Sequence, residues 1–447
     1  MIGRQLRELE NYFGKDSSNE KIIEGFAVDS RKVKPGFVFF ALAGEKVDGH
    51  DFLIDAFKNG AIAAVVSSSF SERFPGHTLL NVDDVLDTLQ TLGREVLSTQ
   101  NNRIVAITGS MGKTTTKEFT ATLLSAKYKV FKTPGNANSQ IGLPLSLLNR
   151  KDLGEEIMVL EMGMMGHGQI ARLVEIAPPE LAVITKIAPA HLEFFPNGLE
   201  GIAEAKSEIL SHPNTEYAII NSNGLVYESI TFRGNSCKTY YSLERDFSTD
   251  HWMESEGSQI RICRDVEKSP WLILPFDAPH LRENFIAAAL VARYFGLSWE
   301  EIASACLKLE LFEKRFEKIE RDGVIFINDS YNANPESMKL AISNLPKPEN
   351  GGRTIFALGH MVELGSSSES AHREIGEYAH KYGDRLFCLG EKCLPMKEAF
   401  EKSDKPVEHF EDIKSMQKSL FSELKKGDVV LIKASNSVGL WRILESL

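Results

Sequence analysis

Short apolar runs separated by glycine turns or helical stretches recur along the whole chain. Runs at 36–42 ("GFVFFAL") and 61–66 ("AIAAVV") have the length and bulk of strands. "DFLIDAFKNG" between them predicts a helix that ends at Gly60. From Asn101 the pattern becomes strand, glycine loop, helix: "RIVAIT", "GSMG", then "KTTTKEFTATLLSA". In that helix Phe119, Leu123 and Leu124 share one face, which predicts an amphipathic element. Further strands are expected at 157–161 ("IMVLE") and 181–185 ("LAVIT"). A polar, aromatic stretch at 237–275 breaks the rhythm and is read as a β-rich insertion. The third block begins near Phe316, with "VIFIN" (324–328), "TIFAL" (354–358), "RLFCL" (385–389) and "DVVLI" (428–432). Strand–helix alternation throughout predicts α/β architecture with parallel or mixed sheets. Three domains, 1–100, 101–315 and 316–447, suit a chain of 447 residues, longer than one core usually spans.

The unusual polar residues follow the apolar strands. Gly109 to Lys113 come after "RIVAIT", Glu161 ends "IMVLE", and His191 lies a short loop after "LAVIT". Asp329 follows "VIFIN" and Lys433 follows "DVVLI". Open α/β sheets bind ligands outside the carboxyl ends of their strands. Two sets of such ends therefore predict a cleft between domains. A formal charge of -11 argues against nucleic-acid binding and leaves small molecules as the expected partners. Five scattered cysteines without metal spacing suggest free thiols in a reducing compartment. No apolar run approaches the roughly 18 residues of a membrane span, and no signal core opens the chain. A cytoplasmic protein without membrane insertion is the expectation.

Gly109-Ser110-Met111-Gly112-Lys113-Thr114-Thr115 is shorter than the G-x-x-x-x-G-K-[ST] phosphate loop, because Ile107 stands where the first glycine would be. It keeps the parts a triphosphate needs. Its glycines admit backbone N–H groups to phosphate, and the helix from Lys113 presents its positive end. Lys113 can neutralise the outer phosphates and Thr114 can offer a hydroxyl to Mg²⁺. Glu161 reads equally as a metal ligand or a structural salt bridge, and His191 as a ligand or a hydrogen-bonded core histidine. Lys206 falls on the stripe of Ile202, Ile209 and Leu210. There it is either a lysine snorkelling at the stripe's edge or a desolvated amine able to take up CO₂ as a carbamate. "NDSYNANPESM" (328–338) and "TPGNANSQIGLP" (133–144) concentrate amides around turns and suit a polar ligand, although Asn-Ala-Asn-Pro is also a helix-start signal.

Taken together, "TGSMGKTTTKE", "GNANSQIGLP", "EMGMMGHGQI", "AHLEFF", "NDSYNANPESMKLAI" and "DSRKVKPGFVFFALAGEKVDGHDF" resemble, in order and along the whole chain, the Mur ligases of peptidoglycan synthesis. The similarity is greatest to the type that adds D-alanyl-D-alanine to UDP-N-acetylmuramoyl-tripeptide. The resemblance implies an N-terminal UDP-recognition domain, a central ATP-binding domain of P-loop type and a C-terminal Rossmann-like domain. It implies an ATP-dependent amide ligase working through an acyl phosphate, with those two compounds as its small-molecule substrates, and acting as a monomer. By the same carry-over Gly109, Ser110, Met111, Gly112, Lys113, Thr114, Thr115, Asn284, Arg315 and Asp329 would meet the nucleotide. Thr114, Glu161, His191 and a carbamylated Lys206 would hold Mg²⁺. Ser30, Arg31, Asn136, Asn138, Gln140, Tyr331, Asn332, Asn334 and Lys433 would contact the substrates. Lys186, Leu281, His360, Ala434 and Asn436 depart from the residues usual in the family. The alternatives are a ligase of MurE or folylpolyglutamate synthetase type, or a P-loop ATPase or phosphotransferase that would leave the asparagine-rich segments idle.

Overall fold

The computed structural model describes residues 2–44, 47–190, 192–311, 313–402 and 405–445. Near the N-terminus, Gly25–Ala27, Phe37–Phe40, Ala61–Ser67 and Thr78–Val82 form a parallel sheet in sequential order. The predicted helix before Gly60 is a 3₁₀ turn, Gly49–Phe52, leading into the α-helix Leu53–Lys58.

The central sheet is parallel throughout. Its order is Cys237–Tyr241, Tyr217–Asn221, Leu181–Ile184, Arg103–Thr108, Ile157–Glu161, Val130–Lys132. Both faces are buried, and the period-2 geometry of strands divides each one between two cores. Val105, Ile107, Val159, Val183 and Ile219 pack under the helices Lys113–Leu124 and Pro279–Tyr294. Ile104, Ala106, Met158, Leu160, Ala182 and Ile184 pack on the other side, around Gln169–Ile176 and Gly198–Ser207. Such two-sided burial explains why these strands read as unbroken apolar runs.

Two expectations need correction. The stretch 237–275 is not one insertion. Its first strand, Cys237–Tyr241, extends the central parallel sheet, and Trp252–Glu256, Gln259–Arg264, Glu267–Lys268 and Leu272–Ile273 form a separate antiparallel sheet. Nor is the helix Lys113–Leu124 amphipathic in the expected sense. Thr114, Thr115, Thr116, Lys117, Glu118 and Thr120 are buried along with Phe119, Leu123 and Leu124. Its polar face is covered by protein rather than by solvent.

The C-terminal sheet runs Glu317–Arg321, Val324–Asn328, Val429–Lys433, Thr354–Gly359, Arg385–Leu389, Val407–Phe410, with only the first strand antiparallel. The last strand in sequence returns between Val324–Asn328 and Thr354–Gly359, so the chain order reverses there. A matching reversal in the central sheet lies at Arg103–Thr108, flanked by Ile157–Glu161 and Leu181–Ile184. Ligand crevices form outside strand ends at such reversals. The two crevices adjoin one cavity.

Candidate active site

Gly109 and Gly112 shape the phosphate loop, with φ of 147° and 83°. A Cβ at Gly109 would run into the Thr185 hydroxyl, and one at Gly112 into the Asn284 Oδ1. The N–H of Ser110 donates to the Lys186 carbonyl at 2.9 Å. That role belongs to the backbone, so the unusual side chain at position 186 does not disturb it. Lys113 Nζ folds back to donate to the Gly109 carbonyl at 2.8 Å. Burial lowers the Lys113 pKa and nearby Arg315 adds to the shift, against the opposing pull of Glu161.

Glu161 is 1 % exposed and is a shared acceptor. Its Oε2 takes the Thr114 hydroxyl at 2.8 Å and its Oε1 takes Asn138 Nδ2 at 2.7 Å. Lys206 is 2 % exposed, at the end of the helix Gly198–Ser207. Burial holds its pKa well below the usual lysine range; Lys113 pushes the same way and Glu161 resists. Burial and Lys113 both shift the amine toward its neutral form. Edge snorkelling does not describe this lysine.

Arg315 reaches the central domain from the junction with the C-terminal sheet. Its Nη2 donates to Thr114 Oγ1 at 2.8 Å, and its guanidinium lies 3.9 Å from the centre of the Tyr331 ring. It sits between two residues in the left-handed region, Lys314 (φ 63°) and Phe316 (φ 56°), a conformation costing about 1–3 kcal/mol for each. The surrounding contacts hold it. Lys314 N–H donates to Glu317 Oε2 at 3.0 Å, Phe316 N–H to Asp329 Oδ1 at 3.1 Å, and Lys314 Nζ lies 3.6 Å from the Trp441 ring centre. Nothing local in the sequence signals this device.

Lys433 is 2 % exposed and donates to Asp329 Oδ2 (2.5 Å), the Asp329 carbonyl (3.1 Å) and the Asn332 carbonyl (2.8 Å). All three of its hydrogens serve this turn, so Lys433 braces Asp329 and Asn332 rather than reaching for a substrate. Asn334 is committed in part as well: its Oδ1 caps the helix Pro335–Ser343 by accepting Ser337 N–H at 2.8 Å. The helix-start reading of Asn-Ala-Asn-Pro thus holds alongside a place in the cavity wall.

One cavity of about 390 Å³ collects most of these groups. Ser110 to Thr115, Asn136, Asn138, Glu161, Lys206, Asn284, Arg315, Asp329, Tyr331, Asn332, Asn334 and Lys433 all line it. Gly109, at the start of the loop, does not itself line the cavity. Ser30, Arg31 and Gln140 are elsewhere: Arg31 is exposed and paired with Asp29 at 2.9 Å, and the Gln140 carbonyl accepts Gln90 Nε2 at 3.1 Å. His191 lies outside the described residues. Sequence reasoning missed His280, whose pKa burial pushes down to about 4 with help from Lys433 and against Asp329. It also missed Glu283, tied to Asn221 Nδ2 at 3.0 Å.

Whether the cavity suits a nucleotide and a cation can be judged from its atoms. Ser110 Oγ, Arg315 Nε and His280 Nδ1 are buried there without a hydrogen-bond partner among the described residues. Buried polar groups in native interiors are completed by protein, water or ligand, and a nucleotide would offer these three the partners they lack. Thr114 and Glu161 offer adjacent hard oxygens of the kind Mg²⁺ takes. Among the described residues no group of three or more His, Cys, Asp or Glu forms a metal cluster. Phosphate and water oxygens would complete the shell, as Mg²⁺ prefers.

Family models match three consecutive stretches: Mur ligase family, catalytic domain over 22–106; Mur ligase middle domain over 107–292; and Mur ligase, glutamate ligase domain over 314–436. The chain belongs to the Mur ligase family. It is 35% identical over 437 residues to the UDP-N-acetylmuramoyl-tripeptide–D-alanyl-D-alanine ligase of Bacillus subtilis, covering 96% of this chain and 94% of that one. With the enzyme of that name from Escherichia coli the identity is 31% over 463 residues, covering 100% and 99%. The crystal structure of MurF ligase from Thermotoga maritima in complex with ADP superposes with a TM-score of 0.78 at 33% identity, over 95% of this chain and 96% of that one. Escherichia coli FolC, at 16% identity, shares the fold over 80% of this chain with a TM-score of 0.62. In this Mur ligase, Gly112→Ala is expected to destabilise the fold by about 1 kcal/mol or more, because alanine is strained at φ 83° and meets Asn284. Thermal unfolding and an ADP titration check it; an unchanged melting temperature with unchanged ADP affinity would contradict the steric reading.

Proposed function

We propose that this Mur ligase joins D-alanyl-D-alanine to UDP-N-acetylmuramoyl-tripeptide, converting ATP to ADP and phosphate in peptidoglycan precursor synthesis. One observation carries the reading: the match to ligases of that name runs the length of the chain. The cavity supports it by joining a phosphate loop to the asparagine-rich turn of another sheet, which an ATPase would not need.

The chemistry follows from the groups at hand. A carboxylate is a poor acyl donor, so the tripeptide's terminal carboxylate oxygen attacks the γ-phosphorus and ADP leaves, giving an acyl phosphate. The dipeptide's neutral amine then attacks the acyl carbon. A tetrahedral intermediate collapses, the C–O bond breaks, phosphate departs, and the amine's proton passes to the surroundings. Lys113 and Arg315 set positive charge where phosphoryl charge develops. Bound Mg²⁺ would neutralise phosphate oxygens, with Thr114, Glu161 and, by family resemblance, His191 and carbamylated Lys206 as its protein ligands. Ser30 and Arg31 would meet the UDP moiety from the N-terminal domain, and Asn136, Asn138, Tyr331 and Asn332 the peptide parts. The units proposed are 1–100, 101–315 and 316–447. We place the enzyme in the cytoplasm as a monomer; no helix among the described residues is long and apolar enough to cross a membrane.

Purified enzyme with ATP, Mg²⁺, D-alanyl-D-alanine and UDP-N-acetylmuramoyl-tripeptide should form the pentapeptide and stoichiometric ADP. Offering the tripeptide with diaminopimelate or lysine third identifies which one it uses. Product with free D-alanine but not with the dipeptide would reject the assignment, and ADP release without any amine would point to an ATPase.

A further inference from the structure

The reaction outlined above leaves one fully buried charge of the phosphate-loop helix without a role. Lys117, one turn beyond Lys113, is 0 % exposed and lies behind the cavity wall rather than in it. Its Nζ donates to the Thr133 carbonyl at 2.8 Å and the Gly135 carbonyl at 2.6 Å. The same nitrogen is 3.2 Å from Glu118 Oε1 and 3.7 Å from Glu161 Oε2. Burying a lysine is costly unless its donors are satisfied, and here several oxygens converge on one nitrogen.

Those two carbonyls belong to a segment, 133–139, with no regular helix or strand of its own. Val130–Lys132 is a three-residue edge strand, paired on one side only, and Gly135 has a φ of 53°. Short edge strands contribute little cohesion by themselves. Yet the residues that follow, Asn136, Asn138 and Ser139, line the cavity. Other ties come from the neighbouring strand end: Glu161 N–H to Thr133 Oγ1 at 3.1 Å, Gly163 N–H to the Asn138 carbonyl at 2.8 Å, and Asn138 Nδ2 to Glu161. Lys117 ties Thr133 and Gly135 directly to the helix that carries the phosphate loop, just beyond the Lys132–Glu118 ion pair at the end of the edge strand, and also stands beside Glu161.

We propose that Lys117 is a positioning residue that clamps segment 133–139 to the phosphate-loop helix and so fixes where Asn136 and Asn138 meet the substrate, without touching substrate or nucleotide. A compact amine with three donors suits carbonyls converging from different directions; the planar fork of arginine would not. That these asparagines meet the peptide substrate rests on the proposed ligase activity. The clamp itself does not.

Lys117→Met removes the donors at similar volume, and Lys117→Gln keeps an N–H able to reach one carbonyl. Hydrogen exchange on the ligand-free enzyme should speed up about tenfold in 133–139 in the Met variant and less in the Gln variant. Exchange in Arg385–Leu389 of the C-terminal sheet should stay as in the parent. ADP affinity, by calorimetry, should remain within about threefold, while KM for UDP-N-acetylmuramoyl-tripeptide rises about tenfold in the Met variant. Unchanged exchange in 133–139 in both variants would overturn the proposal. Global unfolding of both would overturn it too, since a clamp predicts local loosening only. If the parent makes no pentapeptide, the ligase reading fails, whereas the exchange pattern still decides the clamp.

Discussion

Lys113→Ala is expected to lower turnover by a factor on the order of 10² to 10³ while weakening nucleotide binding much less. The reason lies in what surrounds the residue. Lys113 shares its end of the cavity with Arg315 and Lys206, and burial together with the Arg315 charge depresses its pKa. Its Nζ donates to the Gly109 carbonyl of its own loop, at the end of the helix that faces the cavity. Three cationic or proton-accepting side chains near one point are unfavourable alone and favourable around a triphosphate. Their fields add where charge grows on the transferring phosphoryl group. In the ground state the loop's backbone N–H groups and helix end would hold phosphate even without Lys113. Steady-state kinetics with both substrates, beside ADP calorimetry, separate the two effects. Turnover within about threefold of the parent would remove Lys113 from the mechanism.

Lys206→Ala is expected to abolish most ligation with the fold intact. The residue ends a buried helix among Ile202, Ala203 and Ala205, and its amine is held toward the neutral state by burial and by Lys113. A neutral amine can add CO₂, forming an N–C bond and releasing a proton, and the resulting carbamate presents oxygens of the type Mg²⁺ takes. An ammonium at the same place would repel any cation near Thr114 and Glu161. Because a lysine this deeply buried costs stability, its removal should leave thermal unfolding no lower than in the parent. The chemical step has its own readout: a carbamate carbon signal on exposure to ¹³C-labelled CO₂, lost in Lys206→Ala. Full ligation by the variant, or no such signal in active parent enzyme, would sink the modification.

How far the chain discloses itself depends on the range of the forces involved. The phosphate loop was legible because strand, two glycines and a lysine at a helix start are neighbours in sequence, and their geometry is set by φ and by hydrogen bonds a few residues long. The strand ends bearing Glu161 and Asp329 were legible because fully buried parallel strands are apolar runs, against which a terminal carboxylate stands out. Lys206 was half legible: periodicity set it on the apolar stripe, but only packing excluded snorkelling.

The family motifs carried the remaining site residues as expectations, and tertiary structure decided what each could do. Lys433 looked free for a substrate until Asp329 and Asn332 took its hydrogens, over a separation of about a hundred residues. Arg315 reaches Thr114, 201 positions away, because two left-handed residues turn it and the C-terminal sheet holds them. Asn284 abuts Gly112 only once the helix Pro279–Tyr294 has packed on the phosphate-loop helix. Lys117 shows the limit most clearly. In "KTTTKEFTATLL" it falls on the polar face, and hydrophobic period says only which face is apolar. Whether water or the carbonyls of another strand will cover the polar face is set by long-range packing, which no local pattern encodes.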